Sequence, residues 1–211
     1  MKSLVIGGTG PTGPYLVEGL QKRGYDVAVL HRGTHEVPLP GEVEHIHADP
    51  HFSETISDGI RGRHCDLVIA TYGRLRLFID VLDGVTDRLI TIGATAYAQR
   101  GSRPATESSP RKSDNTLVQK IVATEELLMK AHEQRRYNVT HYRYPNLFGP
   151  RQLAPREWSI VRRIRDGRRF VPVLDGGLTL ESRSYVENAV LNSFILPCAP
   201  CACSGIPGST K

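Results

Sequence analysis

The sequence predicts a doubly wound α/β fold, in which a parallel sheet is covered by helices on both faces. Three observations predict it. Short apolar strands alternate with helices as far as Tyr144. A glycine-rich turn joins the first strand to the first helix. The helices carry their apolar residues at i,i+4 spacing, which puts them on one face.

In chain order, Ser3 to Ile6 is a short apolar strand. Pro14 to Arg23 reads as a helix, with Leu16 and Leu20 on one face and Gly24 as its stop. Asp26 to Leu30 is the second strand, and Val43 to His47 the third, alternating apolar and polar. Phe52 to Ile60 is a weak helix. Asp66 to Ala70 is the fourth strand, followed by a helix holding Leu75, Ile79 and Leu82. Arg88 to Ile92 is the fifth strand. Residues 100–115 are rich in Ser, Pro, Arg and Asp and form a loop. Thr116 to about Gln134 is the clearest helix, with Leu117, Ile121, Leu128 and Ala131 on its apolar face. Val139 to Tyr144 is the sixth strand. Crossovers between parallel strands are right-handed, so ligands belong at the carboxyl ends of the strands.

The totals bound the function. The 211 residues suit one domain with a partial second. Hydrophobic residues make up 39% and charged residues 23%, ordinary for a globular chain with a sizeable core. The net charge of +5 favours anionic ligands only mildly. Arg162, Arg163, Arg165, Arg168 and Arg169 form a denser cluster with no aromatic interleaved among them, so nucleic acid is not an expected partner. RNA binding there is the weakest reading, and it predicts steep salt dependence. No secretory signal and no membrane-length apolar run is seen, so a cytoplasmic protein with reduced thiols and no membrane contact is expected. Cys65 belongs to packing. Cys198, Cys201 and Cys203 offer three ligands without a fourth, so no metal site is expected.

The chemistry starts at Gly7-Gly8-Thr9-Gly10-Pro11-Thr12-Gly13. Glycines at 7, 10 and 13 follow a strand and open a helix. One makes the tight turn, the next admits a pyrophosphate to the backbone, and the third lets helix and strand pack closely. The helix N-terminus then offers N–H groups to phosphate. The second strand ends in Leu30-His31-Arg32-Gly33. An acidic residue there would bond the adenosine ribose of NAD, whereas Arg32, with His31 beside it, suits the extra phosphate of NADP. The expected cofactor is therefore NADP, with NAD second. Asp49, after the third strand, is placed to cap the adenine side.

The Gly7–Gly13 motif, Asp49 and the Ala70-Thr71-Tyr72-Gly73 turn form one set of matching residues. The fifth strand ending near Tyr97, Lys120 with Glu126, and the Arg143-Tyr144-Pro145-Asn146-Leu147-Phe148-Gly149-Pro150 stretch form another. On these residues the chain resembles the extended short-chain dehydrogenase/reductase family, in its NAD(P)-dependent epimerase/dehydratase branch, over residues 1 to about 190. Tyr185-Val186-Glu187-Asn188-Ala189 resembles that family's later substrate-side segment. Residues 197–211 have no periodicity and little charge, so a disordered tail is expected there. The resemblance implies a Rossmann-like domain over 1–150 and a partial substrate-side region over 151–196. It implies cofactor contacts from Gly7, Gly8, Thr9, Gly10, Pro11, Thr12 and Gly13, from Ala70, Thr71 and Tyr72, and from Lys120, Tyr144, Pro145 and Asn146. His31, Arg32 and Asp49 complete that set.

The family's chemistry uses a Ser/Thr, a Tyr and a Lys, with the Tyr and Lys four apart on a helix. Lys120 fits the lysine. Thr116 stands where the Tyr belongs, and Gly93 where the Ser/Thr belongs. A threonine hydroxyl is a far poorer acid than a phenol, whose pKa is about 10. Thr95 and Tyr97 are the nearby hydroxyls that could stand in, so the catalytic candidates are Lys120, Thr116, Thr95 and Tyr97. Two functions follow. One is an NADP-preferring reductase, epimerase or dehydratase acting on a small carbonyl or sugar-nucleotide substrate. The other is a cofactor-binding sensor or scaffold without turnover. The short C-terminal region should leave apolar surface exposed, and a homodimer is one way to cover it.

Overall fold

The computed structural model describes residues 1–71, 74–95, 105–106, 108–111, 115–152, 156–173, 175–178 and 180–195. The expected tail and Tyr72 and Tyr97 lie outside the described residues. Six parallel strands form the central sheet: β1 (Lys2–Ile6), β2 (Asp26–His31), β3 (Glu44–His47), β4 (Leu67–Ala70), β5 (Arg88–Ala94) and β6 (Asn138–Tyr144). Their order is β3-β2-β1-β4-β5-β6. The chain runs outward from β1 to one edge and then returns to build the other half, so the order reverses between β1 and β4. That switch point is where doubly wound sheets bind ligands. The observed elements match the expected ones to within a few residues at their ends, the usual uncertainty of boundaries.

The strands are apolar because both faces are covered. All four residues of β4 are buried, as expected of a central parallel strand. On one face, α1 (Gly13–Gln21) and α6 (Val186–Ile195) cover Val5, Val27, Val29, Ile69 and Ile90. On the other, α2 (Ser53–Ile60), α3 (Leu75–Val81) and α4 (Thr116–Glu133) cover Leu4, Ile6, Leu30, Val68 and Leu89. Helix α1 ends where expected: Gly24 takes φ +78° and donates to the Gln21 carbonyl at 2.9 Å. Helix α4 starts on an Asn115 cap, whose side chain accepts from Leu117 N and Val118 N at 2.9 and 3.3 Å.

The apolar face expected of α4 differs in one respect. Leu128 and Ala131 are buried, but Leu117 is 66% exposed, and the third buried residue is Glu125. Its burial has a specific cause. The Glu125 carboxylate pairs with Arg143 of β6 (2.9 Å) and Arg111 (2.6 Å), and His141 of β6 approaches it at 3.6 Å. Burial pushes the Glu125 carboxyl up, but His141, Arg143 and Arg111 outweigh that and hold it at about 2.

Past β6 the chain forms a small second sheet, β7 (Asn146–Phe148) paired in parallel with β8 (Arg183–Tyr185). The Tyr185–Ala189 stretch, matched by resemblance to a substrate-side segment, ends β8 and opens α6, which packs over α1. There Val186, Ala189 and Val190 are buried. A Cβ on Gly19 of α1 would lie 2.5 Å from the Phe194 ring, so the two helices meet closely at that glycine. Helix α5 (Trp158–Arg165) has no buried residue. Trp158, Ile164, Phe170, Val173, Leu178 and Leu180 are exposed on it and on the segment that follows. The arginine cluster is less free of aromatics than its sequence reads: Arg165 lies 5.8 Å from the Trp158 ring centre and Arg163 5.9 Å from that of Phe170. No helix among the described residues is long and apolar enough to cross a membrane.

Candidate functional site

The Gly7–Gly13 turn sits at the carboxyl end of β1 and is tied to both neighbouring strands. Gly7 N donates to the Leu30 carbonyl of β2 at 2.9 Å. Thr71, just past β4, donates through its backbone N to Ile6 O at 2.9 Å, and its hydroxyl lies 3.1 Å from the carbonyls of Ile6 and Gly7. Gly7 itself needs glycine, since its φ is +84°.

The other glycines separate by cause. A Cβ on Gly13 would fall 1.7 Å from the Gly8 carbonyl oxygen, so α1 can approach the turn only through a glycine. A Cβ on Gly8 would lie 2.8 Å from Val29 of β2. Gly10 is different. Its φ is not in the left-handed region, and a Cβ there would meet nothing nearer than the Gly7 carbonyl at 3.7 Å. Nothing internal requires glycine at that position. Thr12 at the start of helix α1 makes no side-chain cap, and the helix's first turn carries no acidic residue. Its N-terminal N–H groups and positive dipole end face the turn without a carboxylate competing for them.

A cleft of about 450 Å³ opens beside the ends of β2 and β3, lined by Arg32, Thr34, His47, Ala48, Asp49 and Thr55. Arg32 is exposed at its rim. Asp49 holds a tight turn, accepting from His51 N at 2.9 Å and lying 2.8 Å from His51 Nδ1. The His51 backbone N–H bond lowers its carboxyl pKa, with smaller contributions from the His51 ring and Arg32. Asp49 therefore faces the cleft as a carboxylate, at the end expected for adenosine. His31, placed beside Arg32 by sequence, is 3% exposed. Its Nδ1 accepts from Gly33 N at 3.0 Å and its Nε2 lies 2.7 Å from His45 Nδ1. Burial, then His45 and His47, push its pKa down. The imidazole that reaches the cleft is His47, one strand over. No sequence motif marks it; only the pairing of His31 with His47 across β2 and β3 brings it there.

At the opposite end of the switch point, Lys120 and Thr116 are exposed on the first turns of α4, four residues apart and so on one face. Thr95 is exposed just past β5, its N–H donating to the Tyr144 carbonyl at 3.2 Å. Gly93 faces an imidazole: a Cβ there would lie 2.8 Å from Cε1 and Nε2 of the His141 ring, so a side chain at this position requires that ring to shift. The imidazole is fixed from behind by Thr91, whose hydroxyl lies 2.7 Å from Nδ1. Tyr144 faces away from the cleft. Its hydroxyl donates to the Ala189 carbonyl at 2.9 Å and contacts Ser193 under α6, and burial pushes its pKa up to about 12. Asn146 spans Glu181 and Arg156, joining β7 to the β8 side.

No protein-family model matches the chain, and no curated protein sequence matches it. Solved structures do. UDP-glucuronic acid 4-epimerase from Bacillus cereus, in complex with UDP-glucuronic acid and NAD, superposes with a TM-score of 0.73 at 16% identity, covering 92% of this chain and 72% of that one. UDP-glucose 4-epimerase of Thermus thermophilus, in complex with NAD, gives 0.70 at 21% identity, over 92% and 73%. dTDP-glucose 4,6-dehydratase from Bacillus anthracis with NAD gives 0.72 at 14%, over 90% and 69%. At these identities the likeness establishes the fold alone: the chain shares the Rossmann-like, doubly wound α/β fold of these epimerases and this dehydratase.

Proposed function

We propose that this chain binds a nicotinamide dinucleotide across the carboxyl ends of β1, β2 and β4. We propose further that it prefers NADP to NAD and acts as a reductase, epimerase or dehydratase on a small carbonyl or sugar-nucleotide substrate. The observation that carries the reading is Gly10, a glycine that neither its φ nor its packing requires, at the mouth of an uncapped helix. The Gly7–Gly13 backbone would hold the pyrophosphate. Arg32 would pair with the ribose phosphate, Asp49 would face the adenosine side, and Lys120 would hold the second ribose. The preference for the phosphate rests on Arg32, since the similar solved structures named above hold NAD. The dinucleotide, when bound, supplies hydride transfer; the chain supplies binding and orientation. A second reading, cofactor binding without turnover, is favoured by Gly93, whose side-chain space belongs to His141, and by Thr116 in place of a phenol.

Calorimetric titration with NADPH and NADH, in the wild type and in Arg32→Asp, tests this. A hydrogen bond to a charged group is worth roughly 1.5–3 kcal/mol, so NADPH should bind about ten- to a hundredfold more weakly to the variant, with NADH little changed. Absence of binding by either nucleotide would overturn the reading.

A further inference from the structure

We propose that His31, Glu36 and His47 form a binding site for a divalent transition-metal ion such as Zn²⁺, clasping the β2–β3 connection onto the sheet edge. The site rests on these three side chains, one of which, His47, also lines the cleft that holds Arg32 and Asp49. The three residues come from three segments: the end of β2, the connection that follows it, and the end of β3. One ligand atom from each lies within 4.8 Å of the others. His31 and His47 are directly paired across the two strands, and their rings meet edge-on with centres 4.9 Å apart. His47 Nε2 lies 3.6 Å from Glu36 Oε1. Tetrahedral zinc, with bonds of about 2.0–2.2 Å, sets ligand atoms about 3.4 Å apart, so this pair already stands near the required spacing. Two imidazoles and a carboxylate are a known zinc ligand set, with water completing the tetrahedron. The sequence shows no such site because the residues follow no short spacing, and register brings them together.

Occupancy has a structural consequence. His31 Nδ1 now accepts the Gly33 N–H, so Nε2 carries the ring proton and donates it to His45 Nδ1. If the metal takes Nδ1, it displaces Gly33 directly. If it takes Nε2, the remaining ring proton moves to Nδ1 and faces the Gly33 N–H as a second donor. Either way the Gly33 bond is lost, and the turn carrying Arg32 is reset. The ion and the presentation of Arg32 are linked through one hydrogen bond.

The test titrates Zn²⁺ into the untagged chain at pH 7.5 by calorimetry. The background is Cys198→Ser/Cys201→Ser/Cys203→Ser, which removes competing thiols. The same titration is run on His47→Ala and Glu36→Gln, both exposed positions whose folding is checked by circular dichroism. We expect one ion per chain and a loss of about tenfold or more in affinity for each variant, at least the loss that follows removal of a residue merely supporting a ligand. In ¹⁵N spectra the Gly33 amide should shift on saturation, and should stay put in His47→Ala. Equal affinity in the variants, no saturable binding, or an unmoved Gly33 amide would each overturn the site.

Discussion

Gly10 and Gly13 lie three residues apart in one turn, yet the structure assigns them opposite causes, and alanine substitution separates these. A Cβ on Gly13 would sit 1.7 Å from the Gly8 oxygen and 2.2 Å from its carbonyl carbon. Both are backbone atoms, so α1 must move outward by more than an ångström. Overpacking of this kind costs about 1–3 kcal/mol or more, which for a chain of this size lowers Tm by roughly 2–12 °C. A Cβ on Gly10 meets only an ordinary contact at 3.7 Å. Because its φ already suits alanine, Gly10→Ala should hold or raise stability, by up to about 1 kcal/mol, through the unfolded chain. The same methyl stands where a pyrophosphate would approach, so dinucleotide binding should fall by tenfold or more. Differential scanning calorimetry and NADPH titration of both variants check the pair. If Gly10→Ala binds NADPH as the wild type does, the glycine serves no ligand and the cradle argument fails.

Glu125→Gln should destabilise the fold by about 3–5 kcal/mol at pH 7, because Arg143 and Arg111 lose a buried counter-charge. The sign with pH follows from the folded carboxyl lying at about 2, below the roughly 4.3 of an unfolded glutamate. Its stabilisation is full above about pH 4.5 and is lost as pH falls toward 2. Urea melts of wild type and variant should converge over that window; parallel curves would refute it. Gly93→Ser, which restores a hydroxyl where the family resemblance asks for one, should instead cost about 1–3 kcal/mol through the His141 ring 2.8 Å away. His141→Ala should relieve that clash, giving a non-additive double-mutant cycle in thermal unfolding.

The sheet is legible in the sequence because buried parallel strands are apolar runs and the helices between them keep i,i+4 spacing. The cradle is legible because its glycines are contiguous. What escapes the sequence depends on partners distant in the chain. Glu125 reads as one more helix carboxylate until Arg143 and His141, from a strand more than a dozen residues on, make its burial tolerable. The apolar face of α4 accordingly includes Glu125, while Leu117 in the first turn is exposed. The motif around Tyr144 puts it at the cofactor, but α6, more than forty residues later, takes its hydroxyl. His31 beside Arg32 reads as a phosphate partner. Register instead turns it inward and brings forward His47, a residue no linear motif singles out.

These displacements share a direction. Beside the ends of β2 and β3, the residues the sequence singles out, Arg32 and Asp49, converge with Thr34 and His47, which it does not, on one cleft. At the other end, the position expected to hold a catalytic hydroxyl has been given to an imidazole locked between Thr91 and the Glu125 cluster. Adding back one hydroxyl cannot restore the usual arrangement, because His141, Thr91, Glu125, Arg111 and Arg143 are coupled and each holds the next. A chain that had merely lost its catalytic residues would leave space at position 93. This one has filled it with an imidazole held at Nδ1 by Thr91. The proposed binding and the proposed turnover thus rest on different residues, and the first can be tested, by Gly10 and Arg32, without any assumption about the second.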